Sequence, residues 1–144
     1  MKKLILFILL FLTQFIFTQK ANSAFLYKGF LDTKTPITLY LKISENACDG
    51  SNNYEAMYKY DNSNKWIQLN VSPNSNEKSF CLVEQNFSGV MVLSKTAKSF
   101  SGKWINPNGE KQLKVILNFQ NLSVKLKNEL EDKYEKLNYE NNDC

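Results

Sequence analysis

The chain has no histidine, and that absence narrows its chemistry more than any other feature. Nucleophile pairs of the Ser-His and Cys-His kind, imidazole general bases and His-liganded zinc all need a residue type that is missing. Arginine is missing as well. Beside abundant Asn and Lys, we read this as the codon bias of an AT-rich genome rather than as chemistry. The three cysteines form no Cys-x-x-Cys pair, which removes the redox-enzyme motif. Asp32, Asp49 and Asp61 lack the loop spacing of a calcium site. No apolar run reaches the roughly 20 residues that a bilayer-spanning helix needs. The longest covers residues 4–17 and is broken only by Thr13 and Gln14.

What is present at the N-terminus has a different meaning. Lys2 and Lys3 precede that apolar run, and the small residues Ala21, Asn22, Ser23 and Ala24 follow it. A charged start, a short apolar centre and a small-residue exit define a secretory signal peptide. With Ala21 and Ser23 at the −3 and −1 positions, cleavage is expected before Ala24. No cysteine lies near the cut, so no lipid anchor is expected there. The mature chain is then expected to have no stable membrane anchor and to be periplasmic or secreted.

The formal net charge of +4 shrinks on removal of the leader, because Lys2, Lys3 and Lys20 leave with it. The remaining 15 lysines face 14 acidic residues, a balance near +1. Such a chain has no broad field to draw it to nucleic acid. Neither nucleic acid nor a cofactor is expected, and the partner is an unspecified protein or small ligand.

The dominant pattern beyond the leader is alternation of apolar and polar residues, the mark of half-buried strands. It predicts eight: residues 25–32; a second with Ile37, Leu39, Leu41 and Ile43 on one face; a third with Tyr54, Ala56, Tyr58 and Tyr60. A fourth spans 66–71 and a fifth 80–84. A sixth carries Phe87, Gly89, Met91 and Leu93 on one face, the seventh Phe100, Gly102 and Trp104, and the eighth Leu113, Val115, Leu117 and Phe119. Asn106-Pro107-Asn108-Gly109 reads as a hairpin turn, since Asn and Gly tolerate positive φ. The expected fold is mainly β: an antiparallel eight-stranded meander, as a small barrel or a strongly curved sheet or sandwich. The expected divisions are a signal peptide at 1–23, the β domain at 24–121, and a C-terminal helix and tail at 122–144.

In that last segment the period changes. Leu122, Leu126, Leu130, Tyr134 and Leu137 recur every three or four residues, and Glu129–Lys133 and Asp132–Lys136 are spaced as i,i+4 pairs. This predicts an amphipathic helix over 123–138, capped by Ser123, with its Leu stripe on the sheet. In an oxidising compartment a disulfide is expected. In a meander the loops after strands two and four share one end, which favours Cys48–Cys81, worth roughly 3–4 kcal/mol by loop closure. The alternative joins Cys144 to either one.

Several side chains stand out as candidates. Tyr40, Tyr54, Tyr58 and Tyr60 form a candidate binding patch, because a phenol combines an apolar body with a polar tip. Core filling is the competing explanation for the same rings. Glu55, Glu84 and Glu110 are the carboxylates on or beside strands, and no catalytic motif flanks them. Gly102-Lys103-Trp104 resembles the Gly-x-Trp signature of lipocalins and avidins, which lies on the first strand there and on the seventh here. We read it as structural, with Gly102 allowing close backbone approach and Trp104 plugging the sheet interior.

These features point to an exported, non-enzymatic binding module, an inhibitor or immunity-type protein working in the periplasm. One alternative is a barrel carrier of a small apolar ligand, which requires an interior cavity on the order of several hundred Å³. Another is a small hydrolase using carboxylates alone, which requires two acids about 5–10 Å apart in a cleft.

Overall fold

The computed structural model describes residues 22–142. Eight antiparallel strands run in chain order: β1 (Ser23–Leu31), β2 (Thr35–Glu45), β3 (Asn52–Tyr60), β4 (Ile67–Pro73), β5 (Ser79–Glu84), β6 (Val90–Lys95), β7 (Ser99–Ile105) and β8 (Gln112–Gln120). Each pairs with the next, and β1 also pairs with β8, from Leu26↔Gln120 to Leu31↔Val115, so the sheet closes into a barrel. Closure leaves no edge strand with unpaired backbone groups. One helix, α1 (Val124–Asn142), follows. Among the described residues no helix is long and apolar enough to cross a membrane. The signal-peptide reading falls almost wholly on residues outside those described, as does Cys144.

The alternation places one face of every strand inside. Fifteen buried side chains make a single inner cluster, among them Tyr27, Leu39, Tyr58, Phe80, Met91, Phe100 and Leu117. Edge-to-face rings bridge the interior: Tyr27–Phe100 at 4.9 Å, Phe100–Phe80 at 5.4 Å and Phe80–Tyr54 at 5.7 Å between centroids. An eight-stranded barrel has an interior just wide enough for side chains to fill, and these rings fill it.

Two glycines let the barrel curl this tightly. Gly29 pairs with Leu117 and Gly102 with Val115, so they flank β8 on either side. A Cβ on Gly29 would lie 1.8 Å from the Ile116 carbonyl oxygen, and one on Gly102 would lie 2.0 Å from that of Val92. Gly102 therefore has the structural role read from its sequence context, and Trp104 packs on the inner cluster as expected.

On β2 and β3 the outer face is covered too. Leu130 and Tyr134 of α1 pack on Leu26, Tyr40 and Met57, with Leu122, Leu126 and Leu137 beside them. Ser123 caps the helix, its Oγ accepting from the Leu126 N–H at 3.3 Å. The helix runs four residues beyond the expected end, and a tether accounts for this. Buried Gln68 of β4 donates Nε2–H to Asn138 Oδ1 at 2.7 Å and accepts from Asn141 Nδ2 at 2.8 Å. The i,i+4 ion pairs that form along α1 are Lys125–Glu129, Lys127–Glu131 and Lys136–Glu140, rather than the two expected from spacing.

Two expectations need correction. Cys48 and Cys81 are free thiols, not a disulfide. The two loops do share one end of the barrel, since Asn52 Nδ2 after the first loop donates to Glu77 Oε1 in the second at 2.8 Å. The Cys48 loop, however, folds on itself through Asn46 N–H to the Ser51 carbonyl at 2.8 Å, and Asn46 Oδ1 accepts from the Cys48 N–H at 3.0 Å. Cys81 lies within β5, between Ser72 and Val92. Secondly, Phe87 is not in a strand: residues Gln85–Phe87 make a tight, non-helical turn with Asn86 at φ 61° and ψ 18°, and β6 begins at Val90.

The β1–β2 turn holds Asp32 at φ 51° and Thr33 at φ 62°. A β-branched residue in that region is strained by about 1 kcal/mol or more. We expect Thr33→Asn, whose short amide tolerates positive φ, to stabilise the protein by about 1 kcal/mol. Chemical denaturation compares the two midpoints, and a less stable variant would refute the strain.

Candidate functional site

The inward rhythm of β5 runs Phe80, Leu82, Glu84, and so it carries a carboxylate into the end of the barrel, where Glu84 is only 4% exposed. Burying a carboxyl group is costly unless hydrogen bonds satisfy it. Here three neutral donors satisfy it: Oε1 accepts from the Tyr58 hydroxyl at 2.5 Å and from Trp104 Nε1–H at 2.6 Å, and Oε2 accepts from Ser88 Oγ–H at 2.7 Å. The Tyr60 hydroxyl lies 3.4 Å from that of Tyr58. Burial pushes the Tyr58 phenol well above its ordinary pKa, and its hydrogen bond to Glu84 adds to the rise.

This network braces the β5–β6 connection. The Glu84 N–H donates to the Gly89 carbonyl at 2.9 Å, closing the loop across its base. Gly89 must lack a side chain, because a Cβ there would lie 2.4 Å from Trp104 Nε1 and 2.8 Å from Glu84 Oε1. Above the brace, Asn86 and Phe87 both adopt positive φ, 61° and 56°. For an aromatic residue this is a conformational outlier. Phe87 is also 56% exposed, so the loop holds a large apolar ring in water at a cost in strain.

Beside the loop lies a cleft of about 420 Å³ between the β3–β4 turn, residues 85–88 and the C-terminal half of α1. Tyr60, Trp66, Gln68, Gln85, Asn86 and Asn141 contribute to its walls. Trp66 also borders a second groove of about 300 Å³, nearer the start of α1, with Lys28, Thr38 and Asp61.

The candidate tyrosines do not form one exposed patch. Tyr40 lies on the outer wall beneath α1 and Tyr58 inside the barrel, both fully buried. Tyr54 and Tyr60 pack against the inner cluster, and of the four Tyr60 reaches the cleft. The three carboxylates are also dispersed. Glu84 is inside, Glu55 pairs with Lys42 at 2.9 Å beside α1, and Glu110 accepts from Asn108 Nδ2 at 2.7 Å in the β7–β8 turn. Among the described residues no group of three or more His, Cys, Asp or Glu is placed to hold a metal ion.

Sequence reasoning missed the brace and the strained loop. The Phe80-Leu82-Glu84 alternation is the signal that could have placed Glu84 inside, whereas the sequence reading has it only as a carboxylate on or beside a strand. Two of its three donors come from β3 and β7, 26 and 20 residues away in the chain. No protein-family model matches the chain, and no curated protein or solved structure does.

Proposed function

We propose that this protein is an exported, non-enzymatic binding module that engages a protein partner through its β5–β6 loop, in an inhibitor or immunity-type role in the periplasm. One observation carries the reading: Phe87 is held at φ 56° and exposed, above a buried network that fixes the loop. A fold gains nothing by straining an aromatic residue into water, and such strain concentrates at functional sites. A rigid, exposed aromatic ring is the type of side chain that dominates binding energy at interfaces. Export rests on the lysine-led apolar leader and its small-residue exit at residues 1–23.

The alternatives draw less support. A carrier needs a void on the order of several hundred Å³ inside the barrel, where fifteen buried side chains already pack. A carboxylate hydrolase needs two acids facing one cleft, whereas Glu84 has both oxygens engaged by Tyr58, Trp104 and Ser88.

Retention from envelope extract on immobilised protein, wild type against Phe87→Ala, tests the reading. A partner held by the wild type and weakened about tenfold or more by Phe87→Ala is expected, since truncating an interface anchor costs about 2 kcal/mol. Equal retention by the two proteins, or measurable turnover on a panel of substrates, would count against it.

A further inference from the structure

The cleft beside the loop has a chemistry of its own, and Phe87 does not line it. We infer that it is a binding site for a neutral oligosaccharide, separate from the contact assigned to Phe87. Its volume of about 420 Å³ falls in the range of small-ligand sites. The walls bring together two aromatic rings, Tyr60 and Trp66, and the primary amides of Gln85, Asn86 and Asn141, with the already engaged Gln68 behind them. An amide presents both donors and an acceptor, and an aromatic ring presents an apolar face. A sugar has the matching surfaces: hydroxyls that donate and accept, and apolar patches of C–H groups.

Other ligand classes fit less well. No carboxylate lines the cleft, and Lys65 is its one cationic side chain, too little charge for a phosphate-bearing ligand. The amides and hydroxyls of the lining would be left unpaired by a purely apolar ligand. An extended peptide adding a strand needs a free sheet edge, and the barrel is closed.

The site is also built rather than incidental. Gln68 is buried and locked between Asn138 and Asn141, which orients the Asn141 amide at the rim. The braced loop fixes the backbone of Gln85 and Asn86. The Lys59 ammonium lies 5.8 Å from the centroid of the Trp66 ring, a cation–π contact that holds the ring in place. Because Trp66 borders the second groove as well, where Lys28, Lys59 and Asp61 add charges of both signs, a chain of several sugar units crosses its ring from one groove to the next. A single unit occupies one groove only.

Titration calorimetry of the wild-type protein with chitotetraose and with maltotetraose, each against its monosaccharide, tests the inference. Saturable binding of a tetrasaccharide is expected, tighter than its monosaccharide by about tenfold or more. Trp66→Ala should weaken it by about tenfold or more, and so should Asn141→Ala, which also takes the partner from Gln68 Oε1 and is therefore compared at an unchanged circular dichroism spectrum. Lys65→Ala should leave it within about twofold. Three results would overturn the inference: no saturation by either tetrasaccharide up to about 10 mM, affinity unchanged in Asn141→Ala, or a tenfold loss in Lys65→Ala that marks an anionic ligand.

Discussion

Alanine at Gly102 or at Gly29 should destabilise the barrel by about 3 kcal/mol or more, the upper end of what overpacking costs. The obstruction at both sites is backbone. The added methyl would meet the Val92 carbonyl oxygen at 2.0 Å in one case and that of Ile116 at 1.8 Å in the other. A flexible side chain can swing aside, but a carbonyl in a ladder moves only if the strand moves with it. The Gly29 contact lies across the β1–β8 seam that closes the ring, and the Gly102 contact lies between β7 and β6, so either displacement pulls a pair of neighbouring strands apart. Domains of this size are stable by about 5–15 kcal/mol, and the loss would be a large share of that. Gly109→Ala is the useful comparison, because nothing lies within 4 Å of its would-be Cβ and only its φ of 78° resists the change. Urea unfolding should rank Gly29→Ala and Gly102→Ala well below Gly109→Ala. Equal costs at all three positions would mean that the close approaches are not real.

Strong base should unfold the protein over a narrow range. Burial raises the pKa of Tyr58, and the hydrogen bond to Glu84 raises it further. Burial raises Tyr40, and the charges of Glu131 and Glu55 add to it. The sign follows from where the protons sit. Below the ordinary phenol value of 10.0 both rings are protonated whether the chain is folded or not, and stability is unaffected. Above it the unfolded chain loses protons that the folded chain keeps, so stability falls as pH rises. Each such group removes about 1.4 kcal/mol per pH unit, and the two together nearly 3. Lys42 acts in the same direction. Burial disfavours its charge, but Glu55 and the helix acids Glu131 and Glu135 outweigh this and raise its pKa, so its contribution is also lost as pH climbs. Denaturant midpoints taken from pH 7 upward should stay level to about pH 10 and then drop steeply. Phenolate absorption from the buried rings should appear together with loss of the β-sheet circular dichroism signal. Titration of all seven tyrosines near pH 10 with the fold intact would contradict the burial assigned to Tyr40 and Tyr58.

Much of the architecture is legible from local pattern alone. Alternation over Ile37, Leu39 and Leu41 forces a strand, and Asn106-Pro107-Asn108-Gly109 forms the expected turn, with the Gly109 N–H on the Asn106 carbonyl at 3.0 Å. The helix stripe Leu126, Leu130, Tyr134 and Leu137 names the face that packs on the sheet. What local pattern does not carry is long-range pairing. Phe87-Gly89-Met91-Leu93 alternates like a strand, yet Glu84, Tyr58 and Trp104 pin the connection and turn Phe87 outward. The tyrosines of β3 face inward as their period implies, but Tyr40 sits on the opposite wall, hidden by a helix that begins more than eighty residues later. Cys48 and Cys81 share one end of the barrel without meeting, because hydrogen bonds inside the first loop decide where its tip goes.

On the function proposed, the β5–β6 loop keeps Phe87 strained and exposed for binding rather than for folding, and the thermal midpoint of Phe87→Gly measures that strain. Glycine adopts positive φ freely, so the variant relieves about 1–3 kcal/mol of strain against roughly 0.4–1 kcal/mol of added unfolded-state entropy. A net gain of about 1 kcal/mol is expected, a rise in midpoint of roughly 3–5 °C. A fall of several degrees would make the Phe87 ring a structural element and rule out a role for its strain in binding.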